Sequence, residues 1–333
     1  MELPTFSLIV ETENLANADI KGLAKSLASL ANQEVSPTQA KEVFLLDSGD
    51  TPPALLKQLK QDYPWITVYP VPEEVNYYQA KMLGAKAATG EVIVYGDSDC
   101  IYETTWLNNL LTTFNHNPYL KVVAGKTMTR GVGIYGTAMA LAYIFPPFSG
   151  ETQLRETQQY FLNNVAFRRA FLLQHPIPTQ LPLYRGNCVM HARQIRAEGE
   201  TIYRQPLARA THAPPSGLNH FLWRFLLIGH DLYCQKQLLS QTDEKLEELE
   251  LKVKRIESME TPGNYNPGKS SFVDKLQVFR SRVGKMVANE PRHLMFLPFA
   301  IPVVIIAVTL ILTGYLITSW KSNYLLKRYY NAP

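Results

Sequence analysis

Strand-like and helix-like stretches alternate through the first hundred residues, and this rhythm constrains the fold more than any other feature. Residues 6–10, 43–46, 66–69 and 92–95 are short apolar runs, rich in β-branched or aromatic side chains, as buried strands are. Between them, residues 20–31, 55–62 and 77–88 have helical spacing, with Leu23, Leu27 and Leu30 sharing one face of the first. Such alternation predicts an α/β fold with a mostly parallel sheet and helices on both faces. A further helix is expected at 106–115 and a further strand at 120–124. Beyond these the pattern loosens, and 161–173 and 194–198 read as helical or mixed.

The fourth run ends abruptly in Asp97-Ser98-Asp99. In an extended chain residues i and i+2 point the same way, so both carboxylates should converge just past the strand's carboxyl end. Open α/β sheets bind ligands at that edge. Two carboxylates on one hard cation, its shell completed by water and substrate phosphates, is how Mg²⁺ or Mn²⁺ is held beside a nucleotide. Earlier strand ends are acidic too, at Glu11-Thr12-Glu13-Asn14 and Asp47-Ser48-Gly49-Asp50. In a parallel sheet all three acidic ends lie along one edge. Asp47 is then placed to accept a hydrogen bond from a base or ribose, and Asp97 and Asp99 to hold a metal against a diphosphate. Taken singly, each is equally a polar turn after a strand.

Bulk properties exclude several classes. The 333-residue chain can bury a sizeable core, and its net charge of +4 is mild. The first 240 residues contain no dense basic stripe with interleaved aromatics, so nucleic acid is not an expected partner. Cys100, Cys188 and Cys234 have neither CxxC nor zinc-type spacing, which predicts reduced cytosolic thiols. The opening Met1-Glu2-Leu3-Pro4 has neither the basic nor the apolar region of a signal peptide, so none is expected. The stretch Gly131-Val132-Gly133-Ile134-Tyr135-Gly136 reads GxGxxG. It lies mid-chain with no ribose-binding acid at the usual distance, and so reads as a turn or a loop over the active site rather than a dinucleotide fingerprint.

The C-terminal region has a different character. From Leu294 to Trp320 there is no charged residue. At ~1.5 Å per residue the run reaches ~40 Å, enough for a hydrocarbon core of ~30 Å, and a single transmembrane helix is expected. Pro298 and Pro302 fall in its first turns, and Trp320 and Tyr324 suit an interface. Lys269, Lys275, Arg280, Arg282, Lys285 and Arg292 precede the run, while only Lys321, Lys327 and Arg328 follow it. By the positive-inside rule the N-terminal region is then cytoplasmic. Next to an anionic leaflet, the basic stretch would bind headgroups. Residues 138–148 are apolar but too short to span, and are either core or interfacial. Residues 221–228 are apolar with one arginine, either a core helix or an interfacial one anchored by Trp223 and Arg224. Residues 242–260 form a charged helix with one apolar stripe, and 261–268 a linker. The expected division is a catalytic domain at 1–235, a charged helix, linker and basic segment at 236–292, a span at 293–320 and a basic tail at 321–333.

The ordered motifs resemble a family 2 glycosyltransferase of the GT-A fold. They are Ser7-Leu8-Ile9-Val10, Leu46-Asp47-Ser48-Gly49, Ala80-Lys81-Met82-Leu83-Gly84 and Asp97-Ser98-Asp99. Asn164 to Arg169 resembles that family's acceptor-side segment, and Ile195 to Gly199, Pro206 to Ala208 and His212 the end of its catalytic domain. The resemblance covers roughly residues 5 to 230 and rests on motifs that are jointly specific. It implies a nucleotide-diphosphate-sugar donor, a divalent cation (Mn²⁺ or Mg²⁺) and inverting glycosyl transfer. Glu11, Asp47, Lys81 and Asp97 would contact the nucleotide sugar, and Asp97, Asp99 and His212 would hold the metal. With the membrane segment, the expected acceptor is lipid-linked or destined for the cell envelope, reached from a cytoplasmic catalytic domain.

The chain also departs from the family. An acidic pair that supplies the acceptor-side base is replaced by Asn187-Cys188. Neither asparagine nor an ordinary thiol serves as that base at neutral pH. Glu151, His191, His230 and Asp231 are the alternatives, and the sequence does not choose among them. Glu11 and Met82 stand where the family often has proline and asparagine. A catalytically degenerate membrane scaffold or nucleotide-binding module is the competing reading.

Overall fold

The structure, a computed structural model, describes residues 3–12, 20–49, 51–254 and 272–330. Glu13, Asn14, Asp50, the end of the charged segment and the 261–268 linker lie outside the described residues.

The first half follows the predicted alternation. Strands β1 (Phe6–Glu11), β2 (Glu42–Asp47), β3 (Thr67–Pro70) and β4 (Val92–Asp97) alternate with helices α1 (Ile20–Ala31), α2 (Pro53–Asp62) and α3 (Tyr77–Ala87). All pairings among these four strands are parallel. Helix α3 starts where Asn76 and Gln79 form a reciprocal capping box that satisfies otherwise orphaned N–H groups. Side-chain parity divides the core. Leu8, Val10, Leu45, Val92 and Val94 pack with Leu23, Leu27 and Leu30 of α1 on one face of the sheet. Ile9, Phe44, Leu46, Ile93 and Tyr95 pack with Ala80 and Ala85 of α3 on the other.

The second half is mixed. After β5 (Cys100–Tyr102) and α4 (Trp106–His116) come β6 (Val122–Thr129), α5 (Gly133–Ala142), β7 (Arg155–Glu156), β8 (Asn164–Arg168), α6 (Arg169–Gln174), α7 (Asn187–Ala197) and β9 (Ile202–His212). The strand order is β3-β2-β1-β4-β8-β6-β9-β5, with β7 paired to β9. Strand β8 runs antiparallel to both β4 and β6, so the sheet is less parallel than the alternation implied. Residues 161–173 contain this strand and then α6. Residues 164–167 are all buried, so no two-residue alternation marks the strand in the sequence. The GxGxxG stretch forms the turn into α5, with Gly131 and Gly133 at φ of 114° and 93°.

Four helices complete the described chain: α8 (Gly217–Lys254), α9 (Phe272–Asn289), α10 (His293–Trp320) and α11 (Tyr324–Tyr330). Residues 221–230 of α8 contain no exposed side chain, so the core-helix alternative holds there. Among the described residues α10 is the one helix long and apolar enough to cross a membrane. It does not stand apart from the domain. Ala300 and Ala307 pack with Phe221 and Phe225 of α8 and Ala138 and Met139 of α5.

Candidate active site

Parallel pairing brings the acidic strand ends to one edge. Glu11 and Asp97 are register partners across β1 and β4. Asp47 closes β2 and lies 3.5 Å from the Thr12 hydroxyl. Beyond the end of β4 opens a cavity of about 380 Å³, lined by residues that include Tyr77, Asp97, Asp99, Arg130, Arg185, His212, Arg224 and Asp231. Glu11 and Asp47 are buried on the same sheet edge but are not among its lining residues.

Asp97 and Asp99 both line the cavity, but their carboxylates take different partners. Strand β4 ends at Asp97, and the chain turns before β5, which breaks the i, i+2 relationship. The Asp97 carboxylate accepts the Tyr77 hydroxyl at 2.9 and 3.0 Å and pairs with the Lys81 ammonium. Lys81 is fully buried and also donates to the carbonyls of Gly96 (2.9 Å) and Leu162 (3.2 Å). Its donors are used inside the domain, on these two carbonyls and on Asp97.

Asp99 instead meets His212. Pairing of β5 with β9 sets Cys100 opposite His212, and His212 Nε2 lies 3.0 Å from Asp99 Oδ2. Asp99, Cys100 and His212 each place a ligand atom within 4.8 Å of the others. Asp97 lines the same cavity and takes Lys81 and Tyr77 as its partners. The His212 Nδ1 donates to the Ala213 carbonyl, which can only accept. Its Nε2 therefore faces a carboxylate either as part of an imidazolium or with a cation between them, and a carboxylate with an imidazole suits Mn²⁺. Burial works to raise the Asp99 pKa, but the facing His212, aided by Arg224, outweighs it and brings the pKa down to about 2. Burial pushes the Cys100 thiol well up, with Asp99 and Asp97 adding to the effect, so it stays protonated and is a poor ligand.

The far wall comes from α8 and the loop before α7. Arg224 is buried, donates from Nε to the Tyr143 hydroxyl at 2.7 Å, and lies over the Tyr143 and Tyr184 rings. Arg185 lies over the Tyr77 ring, 4.2 Å from its centroid. Asp231 accepts the backbone N–H groups of Tyr184 (2.7 Å) and Arg185 (2.8 Å), one on each oxygen. Burial raises its pKa to about 6 against the pull of those N–H groups and of Arg224 and Arg185.

Of the four alternatives to the missing acidic pair, only Asp231 lines the cavity. His191 is fully buried between the Tyr160 hydroxyl and the His175 carbonyl, and burial lowers its pKa to about 4. His230 is held by Thr318 and Pro182. Glu151 pairs with Arg155 and Lys126. Asn187 turns away to donate to the Pro178 carbonyl, while Cys188 faces the cavity with its thiol pushed up to about 11 by burial.

Sequence reasoning left Arg224 between a core helix and an interfacial anchor, and gave Arg185 and Tyr77 no role. A lone charge in an apolar helical run was the available signal for Arg224, because such a charge is buried only where it has partners.

Residues 15–175 match the family model "Glycosyl transferase family 2". The chain carries a family 2 glycosyltransferase domain. The domain is similar to N-acetylgalactosaminyltransferase 6 of Drosophila melanogaster, with 31% identity over 114 residues. That match covers 33% of this chain and only 16% of the relative. Among solved structures, the mannosyltransferase PcManGT of Pyrobaculum calidifontis, in complex with GDP-Man and Mn²⁺, shares the fold. Its TM-score is 0.54 at 18% identity, covering 98% of this chain and 86% of that one. GalNAc-T7, with UDP, GalNAc and Mn²⁺, has a TM-score of 0.51 at 14% identity, covering 64% of this chain and 44% of that one. The glycosyltransferase domain is therefore of GT-A type, a mixed sheet with flanking helices. The matched residues end before Asn187, Cys188, His212 and Asp231, whose roles rest on geometry.

Proposed function

We propose that this protein transfers a sugar from a nucleoside-diphosphate sugar to an acceptor hydroxyl, assisted by a divalent cation, with inversion at the anomeric carbon. The observation that carries this reading is the convergence of Asp99, His212 and Asp231 on one cavity at the carboxyl edge of the sheet. Asp99 and His212 would hold Mn²⁺ or Mg²⁺, which when bound supplies positive charge to the donor diphosphate. Asp97, kept in place by Tyr77 and Lys81, adds a negative wall beside that site. Asp47 and Glu11 lie further along the edge, where the nucleoside would extend.

Asp231 is the acceptor-side base in this reading. Each carboxylate oxygen accepts one backbone N–H and keeps a lone pair. The acceptor oxygen attacks the anomeric carbon, its proton passes to Asp231, and the bond to the diphosphate breaks with its electron pair leaving on the diphosphate. A base with a pKa near working pH is effective in such a transfer. Arg224 and Arg185 help keep the carboxylate ionised. The acceptor is lipid-linked or bound for the cell envelope, presented where His293–Trp320 attaches the domain to a membrane with the domain on the cytoplasmic side.

The replacement of the family's acidic pair by Asn187-Cys188 favours a second reading, a nucleotide-binding module without transfer activity. Calorimetric titration of detergent-solubilised protein with UDP and GDP, with and without Mn²⁺, tests the donor site. Metal-dependent binding that is lost in Asp99→Asn supports it, and no binding of either nucleotide would sink it. Donor turnover by the wild type, abolished in Asp231→Asn while nucleotide still binds, separates enzyme from module.

A further inference from the structure

The apolar helix α10 is fastened to the catalytic domain at both of its ends. At the N-terminal end, His293 Nδ1 lies 2.7 Å from the Thr137 hydroxyl of α5, and Leu297 packs with Met286 of α9. In the C-terminal third of α10, α10 and α8 touch backbone to backbone. A Cβ on Gly314 would stand 2.0 Å from the Leu226 carbonyl oxygen, and one on Gly229 2.0 Å from that of Ile311. Near the C-terminal end, Thr318 lies 3.1 Å from His230 Nδ1. The chain then turns back: Leu325 is buried against Tyr184 and Leu227, and the Tyr329 hydroxyl lies 3.2 Å from that of Tyr184.

Tyr184 lines the cavity, so the segment beyond the apolar helix returns to the site itself. His293 and Thr318 are separated by ~37 Å along a helix rising ~1.5 Å per residue, more than the ~30 Å of a hydrocarbon core. Were α10 to cross the bilayer in this arrangement, α5 and the start of α8, which pack on it, would be drawn into the hydrocarbon core, and α11 would lie on the far side. Arg224, two residues before the Leu226–Gly314 contact, would then sit at hydrocarbon depth and Asp231, beside the His230–Thr318 contact, toward the far side, around a cavity whose ligand is a water-soluble diphosphate.

The outward half of α10 is different. Leu294, Phe299, Ile305, Leu312, Leu316 and Trp320 are all more than half exposed. Exposed basic residues flank both ends of this face, with Arg280, Lys285 and Arg292 before it and Lys321, Lys327 and Arg328 after it. Arg292 is paired with Glu290, and the remaining net positive charge at both ends matches an anionic headgroup layer met twice on the same side.

We propose that α10 lies in the plane of the membrane, its exposed half sunk into one anionic leaflet, so that the tail after Trp320 stays on the same side as the catalytic domain. The helix is apolar all round; α5 and α8 cover its inward half, and a leaflet would cover the outward half, with the flanking basic groups at the headgroups. The arrangement replaces the single-pass expectation and brings the cavity to the headgroup layer. It rests on the membrane attachment proposed above, and its test reads sidedness alone, without donor or activity.

The test uses the full chain in sealed membrane vesicles, with single cysteines introduced by Ser322→Cys in the tail and Tyr119→Cys on the catalytic domain. Both positions are exposed, and the native cysteines are buried. Each is labelled with a membrane-impermeant maleimide before and after permeabilisation. The expected result is that both sites behave alike, labelling equally before permeabilisation or only after it. One site labelling in intact vesicles and the other only after permeabilisation would overturn the proposal. So would protein that fails to float with vesicles containing anionic lipid.

Discussion

His212 Nε2 stands 3.0 Å from Asp99 Oδ2, held there by the pairing of β5 with β9. Two groups that both present lone pairs at this distance require a proton or a cation between them. His212→Ala should therefore weaken Mn²⁺-dependent nucleotide binding by at least ~10-fold, since even an outer partner of a metal ligand is worth that much. Calorimetry with and without Mn²⁺ checks this. Chelation of the wild type should reproduce the loss.

Lys81 pairs with Asp97 inside the domain. Lys81→Met leaves Asp97 buried without its cation, and breaking such a pair costs roughly 3–5 kcal/mol. Denaturant unfolding should show that loss. Unchanged stability with weaker nucleotide binding would instead return Lys81 to the donor site.

Asp231 carries a pH signature. Its carboxyl must be ionised to accept a proton, so wild-type turnover should rise with pH through about 6 and then level off. Asp231→Asn should lower kcat by roughly 10²–10⁴-fold and remove that limb. Nucleotide affinity measured by calorimetry should stay unchanged.

The same shift predicts stability. Burial holds the folded-state pKa of Asp231 near 6, above the ordinary 3.8, so the folded state binds the proton more tightly. Its stabilising contribution is fully present below pH 3.8 and lost as pH rises through about 6, a change of about 3 kcal/mol for roughly two pKa units. Between those pH values Asp231→Asn should lose less stability than wild type, as thermal melts at a series of pH values will show.

The α8–α10 contact should tolerate no side chain at its closest point. Gly229→Val places atoms against the Ile311 carbonyl and should cost about 1–3 kcal/mol or more by overpacking. A substitution at Gly284, where an added Cβ meets nothing, serves as the control in the same melting experiment.

The helix α1, the four parallel strands and the acidic edge were legible because their signals are local: apolar runs, helical spacing and carboxylates at strand ends. The chain's β-branched runs and the leucines of α1 determined the parallel half of the sheet, and the uncharged stretch determined that α10 is long and apolar. Long-range contacts decided the rest. The turn after Asp97 sent Asp99 to His212 and left Asp97 with Lys81 and Tyr77. Packing of α8 under α10 chose the core alternative for the run around Arg224, made Arg224 a wall of the cavity and brought Asp231 to the loop before α7. Return of α11 to Tyr184 tied the segment after the apolar helix to the wall of the cavity. Each of these depends on which distant side chains meet. Apolar periodicity says which face of an element is buried, but not what it is buried against, because hydrophobic burial is non-directional and partners are selected only when the whole chain packs.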